Sequence, residues 1–100
     1  MDEYIQGDTP KMDLSSRPAL RPHLNIRRDT VRDRWVILAP ERILTPNEQA
    51  AETLLLCDGK RTVAEIAGTL AESYDADPDA IASDILPLLQ GLADAGVVRL

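Results

Sequence analysis

Three helix-start signatures, at residues 45, 62 and 77, limit what this chain can fold into more tightly than anything else in it. Thr45-Pro46-Asn47-Glu48 and Thr62-Val63-Ala64-Glu65 both read as Thr-x-x-Glu capping boxes. In such a box the threonine oxygen accepts the amide three residues on, and the glutamate reaches back to the threonine amide. Pro46 would take the first helical position, where a missing N–H costs nothing. In Asp77-Pro78-Asp79-Ala80, Asp77 is the cap and Pro78 the first helical residue. Three short helices are therefore expected, beginning at about residues 46, 63 and 78. Their apolar stripes are Ala51, Leu54 and Leu55; then Val63, Ile66, Ala67, Leu70 and Tyr74; then Ile81, Ile85, Leu88, Leu89 and Leu92. Pro87 predicts a kink in the third helix near 84–87, and Gly96 a left-handed residue at its end.

Upstream, the period changes from helical to alternating. Leu24 and Ile26 alternate with polar neighbours, and Val31, Trp35, Ile37 and Ala39 fall on one side of a period of two. Two strands with a turn near 32–34 are expected, then a turn at Pro40-Glu41 and a short third strand, 42–44, running into the first helix. The segment 97–100 reads as a short strand or an extended tail. Residues 1–22 mix charge, Pro, Gly and Ser without either apolar period and read as a flexible arm or linker. That leaves 23–100 as one domain, consistent with 100 residues of which 44% are apolar. The expected class is α+β: a winged helix-turn-helix-like fold of three antiparallel strands followed by three helices.

Most chemistries find no support in this chain. Gly59-Lys60-Arg61-Thr62 looks like the end of a phosphate loop, but no glycine precedes it at the required spacing and the preceding segment is helical. It is a helix stop followed by a helix start. The lone cysteine, Cys57, allows no internal disulfide, and with the lone histidine, His23, it cannot form a zinc cage of N and S ligands. Asp75, Asp77, Asp79 and Asp84 lack the central glycine and terminal glutamate of a calcium loop and suit a helix N-terminus instead. No catalytic residue, metal site or cofactor is expected. No apolar run is long enough for a membrane span or a secretory signal, so the default location is the cytoplasm.

Charge is placed unevenly within a net −6. Six arginines (17, 21, 27, 28, 32 and 34) face only Asp29 and Asp33 between residues 14 and 34, whereas 62–98 holds seven acids and no lysine or arginine. A winged helix commonly binds DNA through a helix in the groove. Here that third helix carries Asp77, Asp79, Asp84 and Asp94 and no base, which opposes phosphate contact. A DNA-binding regulator is thus the alternative rather than the leading reading, and no nucleic-acid partner is expected. The arginines are either a solvated strand face or a lure for an acidic partner.

The run Trp35-Val36-Ile37-Leu38-Ala39-Pro40-Glu41-Arg42, the Cys57-Asp58-Gly59 corner and Thr62-Val63-Ala64-Glu65-Ile66 together resemble the PqqD family of pyrroloquinoline quinone biosynthesis, small peptide chaperones of the RiPP recognition element group. The resemblance covers about 18–100. It implies a non-catalytic domain that binds a ribosomal precursor peptide and presents it to a radical S-adenosylmethionine (SAM) enzyme, which joins a glutamate and a tyrosine of that peptide. It implies further that the peptide adds as a strand to the free edge of the third strand, beside the third helix. Some family members are fused behind the pathway's oxidase, and residues 1–22 would suit such a linker.

The residues give that mode a physical basis. A short edge strand at Arg42, Ile43 and Leu44 would carry unpaired amides and carbonyls that any peptide backbone can satisfy. Selectivity would then come from an aliphatic groove along the third helix, for which Ile81, Ile85, Leu88 and Leu89 are the candidates.

Overall fold

The computed structural model describes residues 11–100. Its elements are β1 (Ala19–Leu20), β2 (Asn25–Asp29), β3 (Arg34–Leu38), β4 (Ile43–Leu44), α1 (Glu48–Leu55), α2 (Val63–Tyr74), α3 (Pro78–Asp94) and β5 (Val98–Arg99). Strands β2, β3 and β4 form an antiparallel sheet in that order, and β1 pairs with β5 in a separate two-stranded ribbon. Three antiparallel strands followed by three helices is the expected architecture, with the ribbon added to it.

The register of the sheet decides which of its faces meets the helices. Ile37 pairs with Ile26 on one side and Leu44 on the other. Ile37 is buried in the core, and Ile26 and Leu44 pack against the same cluster. Because cross-strand partners share a face, Ile26, Ile37 and Leu44 point inward, and Val36, Leu38 and Ile43 point to the opposite face. Trp35, also inward, donates from Nε1 to Glu48 Oε2 at 2.9 Å, while the Arg28 guanidinium lies 5.6 Å from its ring centroid. The indole thus ties the sheet to the first turn of α1. The rest of the core is aliphatic: Leu54 from α1, Val63, Ile66 and Leu70 from α2, Ile85, Leu89 and Ala93 from α3, and Val97 and Val98 after it.

Local chemistry sets the helix ends. Thr62 forms the full capping box: its Oγ1 accepts from the Glu65 amide at 3.1 Å and Glu65 Oε1 accepts from the Thr62 amide at 2.8 Å. The Thr62 amide and, after it, the Thr62 hydroxyl, both donating to Glu65 Oε1, hold the Glu65 carboxyl below the usual range. Asp77 caps α3 and Pro78 opens it, as expected, and the helix runs uninterrupted through Pro87. Gly96, at φ +80, closes α3: its amide donates to Ala93 and that of Val97 to Leu92, a Schellman arrangement.

Four expectations are corrected. Thr45 is not the cap of α1; Asn47 is, accepting from the Ala50 amide at 2.8 Å, so the helix begins at Glu48. The third strand is shorter than 42–44, because Arg42 still belongs to the turn closed by the Ala39 amide on the Arg42 carbonyl. Val31 sits in the 30–33 turn, almost fully exposed, and shares no face with Trp35 and Ile37. Lastly, the domain does not begin at residue 23. Met12, Pro18 and Ala19 are buried, the Met12 amide donates to Gln90 Oε1, and the carbonyls of Ser16 and Leu14 accept from the Val63 and Ala64 amides. Those are orphan donors of the first turn of α2, and the segment docks there because it satisfies them. Of the expected arm, residues 1–10 lie outside the described residues.

Candidate functional site

Strand β4 ends the sheet: β3 pairs with one side of it, and among the described residues no strand pairs with the other. In an antiparallel pair, hydrogen-bonded and non-hydrogen-bonded residue pairs alternate. The bond from the Ala39 amide to the Arg42 carbonyl fixes the phase, so Leu38 and Ile43 form a non-bonded pair. The Ile43 N–H and C=O therefore point away from β3, to the open edge. Arg42 and Leu44 turn theirs toward β3. Of the three residues expected to pair with an incoming backbone, Ile43 alone offers both groups; Arg42 and Leu44 flank it.

Side chains divide the same three residues differently. Leu44 packs against the core margin, Ile43 is 62% exposed on the outward face, and Arg42 reaches across the slot to donate from Nη2 to the Ala95 carbonyl at 3.4 Å. That contact brings the start of β4 to the C-terminal end of α3. A concavity of about 400 Å³ lies there, lined by Leu24, Ala39, Arg42, Leu44 and Gly96 among others.

The helix side of the slot contains only part of the expected set. Successive residues advance 100° around a helix, so Ile85, Leu89 and Ala93, all buried, mark the direction of the core. Ile81, Leu88 and Leu92 lie to one side of that line, and all three are half-buried. Leu89 is fully buried and belongs to the core, not to a groove. Ile85 is also a core residue, although its edge lines a second concavity, of about 330 Å³, with Ile81, Leu70, Tyr74 and the stems of Gln49 and Glu52. Sequence reasoning missed Tyr74 as a lining residue. The signal for Tyr74 was an aromatic at the end of an amphipathic stripe; it is 55% exposed where a core residue would be covered.

Cys57 is buried in the core just beyond the C-terminal end of α1, with Sγ donating to the Thr53 carbonyl at 3.3 Å. Burial and the adjacent Asp58 carboxylate push its thiol up to about 12, the reverse of what a nucleophile needs. Among the described residues no group of three or more His, Cys, Asp or Glu is placed to hold a metal, and no helix is long and apolar enough to cross a membrane.

Comparison with known proteins identifies the lineage of this edge-and-helix arrangement. The family model described as "Coenzyme PQQ synthesis protein D (PqqD)" matches residues 34–98, from β3 through α3 to β5. The chain belongs to the PqqD family. A "PqqA binding protein" of Rhodopseudomonas palustris strain HaA2 is 54% identical over 81 residues, covering 81% of this chain and 79% of that protein. The "Bifunctional coenzyme PQQ synthesis protein C/D" of Methylorubrum extorquens is 45% identical over 85% of this chain, which spans 23% of that longer protein. Among solved structures, the PqqD truncation of Methylobacterium extorquens PqqCD, described as a functional, stand-alone RiPP recognition element, matches with a TM-score of 0.78 at 43% identity, covering 89% of this chain and 95% of that one. PqqD from Xanthomonas campestris matches with a TM-score of 0.56 at 37% identity, over 90% and 100% respectively. The DNA-binding alternative finds no support among these relatives.

Proposed function

We propose that this protein is a non-catalytic cytoplasmic chaperone of pyrroloquinoline quinone biosynthesis that binds the ribosomal precursor peptide, PqqA, and presents it to the pathway's radical SAM enzyme. The observation that carries the reading is the unpaired Ile43 backbone at a sheet edge whose start meets the C-terminal end of α3 through Arg42 and Ala95, in a chain 54% identical to a PqqA-binding protein. An extended peptide lying along β4 satisfies the exposed N–H and C=O of Ile43, which water otherwise solvates. Backbone pairing of this kind tolerates many sequences, so the choice of peptide falls to the side chains turned toward α3. The peptide residues facing inward meet Leu88 and Leu92 and, toward the N-terminal end of α3, the concavity walled by Ile81 and Tyr74.

Alanine substitution on α3 tests this assignment. Leu88→Ala should weaken binding of the precursor peptide in calorimetric titration about three- to tenfold while costing no more than about 1 kcal/mol of stability. Leu89→Ala should cost about 2–5 kcal/mol of stability through the cavity it leaves, with peptide affinity of the folded fraction little changed. The opposite pattern would remove the groove from this face of the helix.

A further inference from the structure

We propose that the outward face of the β2–β3–β4 sheet is the docking surface for the enzyme that acts on the bound peptide, and that it receives an acidic protein surface with an apolar centre. The inference rests on strand addition at β4. None of the three helices covers this face, since they pack against Ile26, Ile37 and Leu44 on the other. A solvated sheet face ordinarily alternates to polar residues. This one instead has a concavity of about 490 Å³ lined by Val36, Leu38 and Ile43 on β3 and β4, with Val36 buried, Leu38 half-buried and Ile43 exposed. Arg27, Arg32 and Arg34 surround that centre. An apolar middle with an arginine rim is the composition of a protein interface.

Its charge is only partly neutralised from within. Asp29 is paired with Arg32 at 3.4 Å and with Arg34 at 3.9 Å, and Arg28 is paired with Asp33 and Glu48. Arg27, at the centre of β2 and cross-strand from Val36, has no ion pair among the described residues. The face thus keeps a positive excess in a chain of net charge −6, which selects a partner with surface carboxylates.

Geometry names the partner. A peptide strand on β4 has one side of its backbone on Ile43 and its inward side chains against α3. Its outward side chains extend the same surface that Val36, Leu38 and Ile43 form. An enzyme that must reach the peptide while the domain still holds it has this side open to it, and by approaching there it touches peptide and domain together.

The test measures binding of the purified radical SAM enzyme to the full chain with precursor peptide present, for the wild type, Arg27→Glu and Arg27→Lys. Charge reversal should weaken enzyme binding about fivefold or more, and Arg27→Lys should stay within about twofold, with peptide affinity the same in all three. Enzyme binding unchanged by Arg27→Glu, with peptide binding intact, overturns the docking face and leaves strand addition standing. Failure of the wild-type domain to bind the peptide overturns both. Capture of the domain on phosphatidylglycerol vesicles that Arg27→Glu abolishes would assign the face to a lipid surface and overturn the proposal as well.

Discussion

The corner between α1 and α2 and the edge strand β4 are both short polar-backbone segments beside apolar helices, and they treat their hydrogen-bonding groups in opposite ways. At the corner, Asp58 Oδ1 accepts from the Lys60 and Arg61 amides, the Gly59 amide donates to Pro18, and the Cys57 carbonyl accepts from Leu20. Arg17 adds a guanidinium on the Lys60 carbonyl. The corner is closed upon itself and upon the N-terminal segment. At β4, one N–H and one C=O of Ile43 stay open at the sheet edge. Exposed backbone groups are commonplace on loops, where water surrounds them. On the function proposed above, the same groups at a sheet edge receive another chain, so the difference between the two segments lies in what surrounds their backbone and not in their residue types.

Substitutions at the two places should therefore separate binding from stability. The largest expected effect is at the edge. Ile43→Pro removes the one outward donor without disturbing the bonds to β3, a position where an edge strand tolerates proline. Peptide binding should fall at least about tenfold while the thermal midpoint stays near the wild-type value. At the corner the outcome should invert. Gly59 sits at φ +79, where a Cβ would lie 3.2 Å from Arg99 Nη2 and 3.4 Å from Ala19 Cβ. Gly59→Ala should cost about 1–2 kcal/mol in urea unfolding, with peptide affinity unchanged.

The smallest effect concerns pH. The Cys57 thiol is held up to about 12 in the folded protein by burial and then by Asp58, whereas an exposed thiol ionises near 9. Above about pH 9 the unfolded chain releases a proton that the folded one retains, so stability declines as pH rises toward 12. Wild type should lose about 1 kcal/mol more than Cys57→Ala between about pH 8 and about pH 10, read from urea midpoints.

What could be read from residue types alone follows the same division. Thr62 with Glu65, and Asp77 with Pro78, announce helices because their side chains supply the cap. Thr45 misled because Asn47, two residues on, is an equally good acceptor and the helix started there. The N-terminal segment was missed because its role is played by carbonyls of Leu14 and Ser16, which any residue could provide, and by isolated buried side chains at Met12, Pro18 and Ala19 with no period to betray them. In the candidate site, the edge was readable from a strand too short to be central, whereas the division of α3 between Leu88 and Leu89 was not. Both are leucines in one stripe, and only the packing direction set by Ile85 and Ala93 tells them apart.

The central claim is tested most directly by titrating isotope-labelled domain with unlabelled precursor peptide and following amide signals. The account predicts that the largest shifts, and new protection of the amide from exchange, fall at Ile43, with a second group along Ile81 to Leu92. Shifts confined to the Asn25–Arg34 hairpin, with the Ile43 amide exchanging as in the free domain, would contradict it.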